Sequence, residues 1–245
     1  MGYGSASDYI TMKTAVANGV AAGNVGNWAT ASYQNLNFGL MRILIPIING
    51  NIPKSTIYSG VPSTNDAAWD AIALMHYKAY VQDKVFTPAG VVGATFAPTY
   101  NGMNALGYKA PYALNQEGGM DSGDLKSFAG GAGWRLSTKE VLSVMHHVRR
   151  MNTIIPAAKA QYMLDNYFGI DQAVTTAAGT LYNKNGAWIS GDGKTEQCVA
   201  YFLPQGMELA LFVNSPIGKT GFSLRGLVKD AYLASLTYYI GPLPY

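Results

Sequence analysis

The last third of the chain constrains the fold most, because its periodicity changes there from helical to extended. Residues 179–188, 197–203 and 208–214 alternate as strands do. Ser190-Gly191-Asp192-Gly193 and Pro204-Gln205-Gly206 stand between them, with the turn chemistry of tight hairpins. Strands joined this closely are antiparallel neighbours, since a parallel pair needs a long crossover. A helix over 224–238 follows and supplies an apolar face to cover the sheet.

Upstream, the pattern is helical. Ser7 or Asp8 caps a helix through Val20, with Ile10, Met12, Ala15 and Val16 inward. Residues 23–32 read as a loop. Residues 37–48 read as a helix with Phe38, Met41, Ile45 and Ile48 near one face, and Pro46 is tolerated only near a kink. Residues 65–82 form an amphipathic helix bearing Trp69, Ile72, Ala73, Met75, His76 and Tyr80. Ser137-Thr138-Lys139-Glu140 is a capping box opening a helix through Met151, and residues 156–167 make another short helix. The fold class this predicts is α/β in the broad, α+β sense. A mainly helical region over 1–175 and a region of antiparallel strands plus a C-terminal helix over 176–245 interleave in one fold rather than forming independent domains.

Composition removes several function classes. Hydrophobic residues make up 49% and charged residues 13%, which excludes a disordered chain. The net charge of +3 is spread thinly, with Arg149-Arg150 the one strong basic doublet, so no nucleic-acid face is expected. The longest apolar run, residues 40–48, contains Arg42 and Pro46 and is too short to span a membrane. Cys198 is the single cysteine, so no internal disulfide forms. Residues 1–5 lack the basic and apolar regions of a signal peptide. His146 and His147 are adjacent on a helix and His76 stands apart, a poor arrangement for chelation, so no metal or other cofactor is expected.

Four segments carry chemistry in their order. Tyr33-Gln34-Asn35 runs straight into the helix at Asn37-Phe38-Gly39-Leu40. Val85-Phe86-Thr87-Pro88-Ala89-Gly90 is a Phe-x-Pro-x-Gly turn. Ala129-Gly130-Gly131-Ala132-Gly133-Trp134-Arg135-Leu136-Ser137-Thr138 is a glycine-rich turn before a helix. Lys184-Asn185-Gly186 opens the strand region, and Leu211-Phe212-Val213-Asn214 ends its last strand. This succession resembles the β-lactamase-related serine hydrolases, the family of class C β-lactamases, penicillin-binding proteins and related esterases, over nearly the whole chain.

The resemblance implies acyl transfer on a β-lactam, a D-Ala peptide or an ester, with a β-lactamase/transpeptidase-like fold. It implies Tyr33 as base and acid and Lys184 as the cation beside it, and it makes Asn35, Asn185 and Gly186 substrate-binding positions. A phenol titrates near ~10 and works at neutral pH only where cations stabilise the phenolate. Each residue also has an ordinary reading. Tyr33 is one of 17 tyrosines, Asn35 and Asn37 suit helix caps, and Lys184 suits a solvated strand.

The family's nucleophile motif, Ser-x-x-Lys, is absent from this sequence. Ser190 and Ser215 precede Lys194 and Lys219 by the wrong spacing, and there is no Gly-x-Ser-x-Gly elbow. Cys198 sits in an apolar strand pattern and reads as inert core. Lys219-Thr220-Gly221 matches a literal Lys-Thr-Gly but falls after the last strand. Gly193-Lys194-Thr195 and Gly218-Lys219-Thr220 lack the upstream glycine of a phosphate-binding loop, where Trp188 and Val213 stand instead.

With Tyr33 so early, the chain reads as the C-terminal portion of a larger protein, inactive alone. Its expected partners are a complementary N-terminal segment carrying Ser-x-x-Lys, or a second copy through an exposed sheet edge. A small acyl substrate, no nucleic acid and no membrane span complete the set, and the resemblance implies a periplasmic or secreted location. The alternative is a non-catalytic binding or assembly module, with the tyrosine-rich stretch 100–112 lining a groove.

Overall fold

The computed structural model describes residues 8–21, 35–53, 57–58, 61–62, 64–98, 104–109, 118–217 and 223–238. The chain divides into two compact units. The first is Met1–Tyr100 with Gly123–Leu136, and the second is Asn101–Ser122 with Ser137–Tyr245.

The first unit is helical. Helix α1 (Tyr9–Ala21) begins at Asp8, whose Oδ1 accepts from the Thr11 N–H at 2.9 Å. Met12 and Ala15 are buried as expected, but Ile10 and Val16 are exposed. The stretch expected as one helix over 37–48 is two, α2 (Asn35–Gly39) and α3 (Met41–Ile48). Its buried face is also different. Arg42 and Pro46 point inward, while Ile48 is 81% exposed.

The reason is a paired charge. The Arg42 guanidinium donates to the Asp70 carboxylate and to the Lys126 carbonyl at 2.9 Å, and a buried arginine persists only with such partners. After β1 (Ile57–Tyr58) and β2 (Val61–Pro62), a two-stranded antiparallel ribbon, comes α4 (Asp66–Val81). Asn65 caps it, and it buries Trp69, Ala73 and Tyr77 at helical spacing. Met75, expected on the apolar face, is exposed.

Helix α4 runs on into a π turn (Gln82–Phe86) and a 3-10 turn (Thr87–Ala89) that stops at Gly90, whose φ of 72° is left-handed. Gln82 fixes this exit: its amide nitrogen donates to the Val91 carbonyl at 2.8 Å, and its Oε1 accepts from the Ala94 N–H at 3.2 Å. Trp134 packs beside Phe86, Phe96 and Tyr77, with ring centroids 4.8, 4.0 and 6.2 Å away.

The second unit is mixed. Helix α5 (Thr138–Arg149) has the expected capping box: Ser137 Oγ accepts from the Glu140 N–H, and Glu140 Oε2 accepts from the Ser137 N–H at 2.7 Å. Helix α6 (Ala157–Asp165) follows. Strands β3 (Gln172–Thr176), β4 (Gly179–Ile189), β5 (Thr195–Phe202) and β6 (Glu208–Val213) form one open antiparallel sheet in chain order. Three strands were expected in this sheet, and the described residues form four. Strand β3 is short, and its turn to β4, Ala177-Ala178, carries none of the residues that usually mark a hairpin.

The other two hairpins turn where their glycines stand. Ser190 and Lys194 close the first, and Leu203 with Met207 closes the second over Gln205 and Gly206, both at positive φ.

Alternation gives the sheet two packed faces. Leu181, Val199, Tyr201 and Leu203 lie under α7 (Leu224–Tyr238), against Leu224, Val228, Tyr232 and Leu233. Tyr182, Phe202, Ala200 and Ala210 lie with Met145 of α5 and Leu164 of α6. Strand β6 ends the sheet. No described strand pairs its outer side, and Leu211 and Phe212 are exposed there. Residues 104–109 and 118–122 are tied to the start of β5 and to the residue after β6: Thr195 N–H donates to the Tyr108 carbonyl at 3.1 Å, Ser122 donates to Glu196 at 2.8 Å, and Tyr108 N–H donates to the Asn214 carbonyl at 2.8 Å.

Candidate functional site

Lys184 lies on β4, where alternation sets Tyr182, Lys184 and Gly186 on one face and Asn183 and Asn185 on the other. Its ammonium donates to Asp171 Oδ1 at 2.8 Å, with the two side chains 34% and 15% exposed. Asp171 stands just before β3 and bonds three successive residues of β4. Its N–H donates to the Asn183 carbonyl at 2.8 Å, and its Oδ2 accepts from the Asn185 N–H at 2.9 Å. The Lys184 side chain and the adjoining backbone are therefore fixed by a single carboxylate.

Past this point no described strand pairs the outer side of β4. Strand β3 pairs only as far as Asn183, whereas β4 continues to Ile189. Residues Asn183 and Asn185 direct their backbone groups away from β5 toward Asp171, so the ladder's alternation directs those of Ala187 outward as well.

The ladder sets Gly186 directly across from Cys198. A Cβ at 186 would lie 3.1 Å from Cys198 Sγ, so the space freed by this glycine is taken by the thiol. Burial pushes that thiol's pKa up, against an opposing pull from the Lys184 charge, which keeps Cys198 protonated and poorly nucleophilic. On the opposite face Arg225, in the first turn of α7, donates to Asn185 Oδ1 at 3.2 Å, and its backbone carbonyl accepts from Tyr201 at 2.7 Å. Two residues before Lys184, Tyr182 donates to Asp165 at 2.5 Å.

Asn35, the other described polar candidate, opens α2 in the first unit. Its helix is seated by glycines. A Cβ at Gly130, whose φ is +97°, would lie 2.8 Å from the Gly39 carbonyl oxygen and 2.9 Å from that of Phe38. The Asn35 segment, the Gly130-Gly131 turn and, through Trp134, the Phe86 turn are thus parts of one packed unit.

Lys184, Asn185 and Gly186 are consecutive in one strand of the second unit, whereas Asn35 belongs to the first. Tyr33 and Lys219-Thr220-Gly221 lie outside the described residues. Sequence reasoning missed Asp171 and Arg225, because their partners lie 13 and 40 residues away along the chain and β3 carried no strand signal.

Among the described residues no group of three His, Cys, Asp or Glu side chains is placed to hold a metal ion, and no helix is long and apolar enough to cross a membrane. No known family model, curated protein or solved structure matches the chain.

Proposed function

We propose that this chain supplies part of an acyl-transfer site of the β-lactamase-related serine hydrolase type, with the nucleophilic serine on a segment outside these 245 residues. The observation that carries this reading is Lys184 held by Asp171 at the head of an open strand edge, with Asn185 and Gly186 following. An acyl substrate lies along such an edge by backbone hydrogen bonds. A nearby ammonium lowers the energy of a phenolate or of a developing oxyanion. In this scheme the resemblance assigns Tyr33 the role of base and acid and Lys184 that of the supporting cation, with Asn35 and Asn185 as substrate-binding positions.

The seating of α2 on Gly130 supports the reading, because it holds the residues that follow Tyr33 in a fixed place. The implied fold is the β-lactamase/transpeptidase type, supported by an open antiparallel sheet with helices on both faces. The partner is a complementary segment carrying Ser-x-x-Lys.

A fluorophosphonate probe, which carries no carboxylate, tests the proposal. Covalent labelling is expected only once a Ser-x-x-Lys segment is added, and Lys184→Ala is expected to lower its rate by about 10²-fold or more. Absence of labelling in the reconstituted mixture overturns the reading. Ligand binding that survives Tyr33→Phe with Lys184→Ala assigns the chain to assembly or binding instead.

A further inference from the structure

We propose that Asp171 sets the charge class of the ligand, so that the Lys184 edge takes a neutral acyl group, an ester or an amide, and disfavours one that carries its own carboxylate. This rests on the acyl-site reading above and adds a specificity to it.

Two donors at the head of the edge suit a carboxylate, the Lys184 ammonium and the Asn185 N–H. Both already bond one carboxylate of the chain itself, at 2.8 and 2.9 Å. Asp171 is also locked by its own N–H on the Asn183 carbonyl at 2.8 Å, and its side chain is only 15% exposed. A second carboxylate arriving at Lys184 meets this fixed negative charge at close range in a partly desolvated place, where like charges repel more strongly than in bulk water.

Among the described residues, the neighbouring charges named here do not reverse that balance. Tyr182, on the same face, donates to a further carboxylate, Asp165. The Arg225 guanidinium holds Asn185 Oδ1, a side chain that alternation puts on the opposite face of β4. A neutral carbonyl oxygen asks less. It adds a hydrogen bond beside an existing ion pair without adding charge. Asp171 is therefore a positioning residue for Lys184 and a screen against anionic ligands.

The test uses the full chain and an isosteric pair of probes, N-acetyl-D-alanyl-D-alanine and its C-terminal amide. Saturation-transfer NMR at low ionic strength gives the dissociation constant of each. The wild-type chain is expected to bind the amide at least about fivefold more tightly than the acid. Asp171→Asn keeps the shape and removes the charge, and it is expected to invert that preference while circular dichroism stays unchanged. A purely structural role for Asp171 would weaken both probes alike.

An acid that binds the wild-type chain as tightly as the amide overturns the inference and leaves the acyl-site reading standing. The same holds for a preference that Asp171→Asn does not alter. Failure of both probes to bind overturns the two together. The wild-type comparison decides the matter even if Asp171→Asn does not fold.

Discussion

Tyr201 joins sheet to final helix through one hydroxyl, buried on β5 and donating to the Arg225 carbonyl at 2.7 Å. Burial, opposed by the Arg225 charge and assisted by Asp230, pushes its pKa up to about 12. An unfolded tyrosine releases its proton near ~10, so above that pH the unfolded chain binds fewer protons than the folded one. This contribution to stability is whole below ~10 and is lost as pH rises through about 12. Urea unfolding of the parent is expected to show a stability that falls across this window, and Tyr201→Phe is expected to flatten the slope. An equally steep fall in the variant would contradict the assignment. The place of Lys184 on a strand was legible in the sequence, from the extended pattern of residues 179–188. Asp171 and Arg225 were not, since nothing local marks a residue whose work is done in a distant register.

At the scale of elements, α2 against the Gly130-Gly131 turn is the closest backbone approach in the first unit that bears on the candidate site. Gly130→Ala places a methyl 2.8 Å from a carbonyl oxygen in a left-handed backbone, and a cost of about 2–4 kcal/mol is expected. Gly131→Ala meets nothing closer than 3.6 Å, so a cost below about 1 kcal/mol is expected in the same urea titration. Equal costs for the two substitutions would show that the close approach is unimportant.

Elements marked by caps and turns were the legible ones. Ser137 opens α5, Asn65 opens α4, and glycine turns bound β4, β5 and β6 within two residues of where the pattern put them. The α3 face was not legible, because hydrophobicity points Ile48 inward and only the Asp70 and Lys126 partners explain why Arg42 goes there instead.

At the scale of the whole molecule, the outer side of β6 is where self-association is expected. Its outward backbone groups have no described strand beside them, and Phe212 is 47% exposed. No lysine, proline or bulge in Glu208–Val213 blunts this edge. The chain alone is expected to run above its 26.2 kDa monomer mass in light-scattering chromatography, and Phe212→Lys is expected to shift it to monomer. The complementary segment is expected to do the same by occupying the edge. A parent chain that is monomeric at every concentration refutes this. The order β4-β5-β6 was legible from its hairpin signals, but β3 was not, nor was the return of Gly123–Leu136 to the first unit, since no periodicity announces which earlier residues a loop rejoins.

The anchoring of Tyr108 has a consequence for how the chain is made. Strands β3 to β6 pair only with sequence neighbours, so the sheet assembles by local zippering as it leaves the ribosome. Tyr108 is synthesised long before its two partners, Thr195 and Asn214. Its neighbour Gly107 pairs with Met120 soon after synthesis, but the bond to Thr195 waits for β5 and the bond to Asn214 waits for the end of β6. Translation therefore leaves that tie among the last to close, and a pause between β5 and β6 prolongs the interval in which a chaperone or protease can reach it.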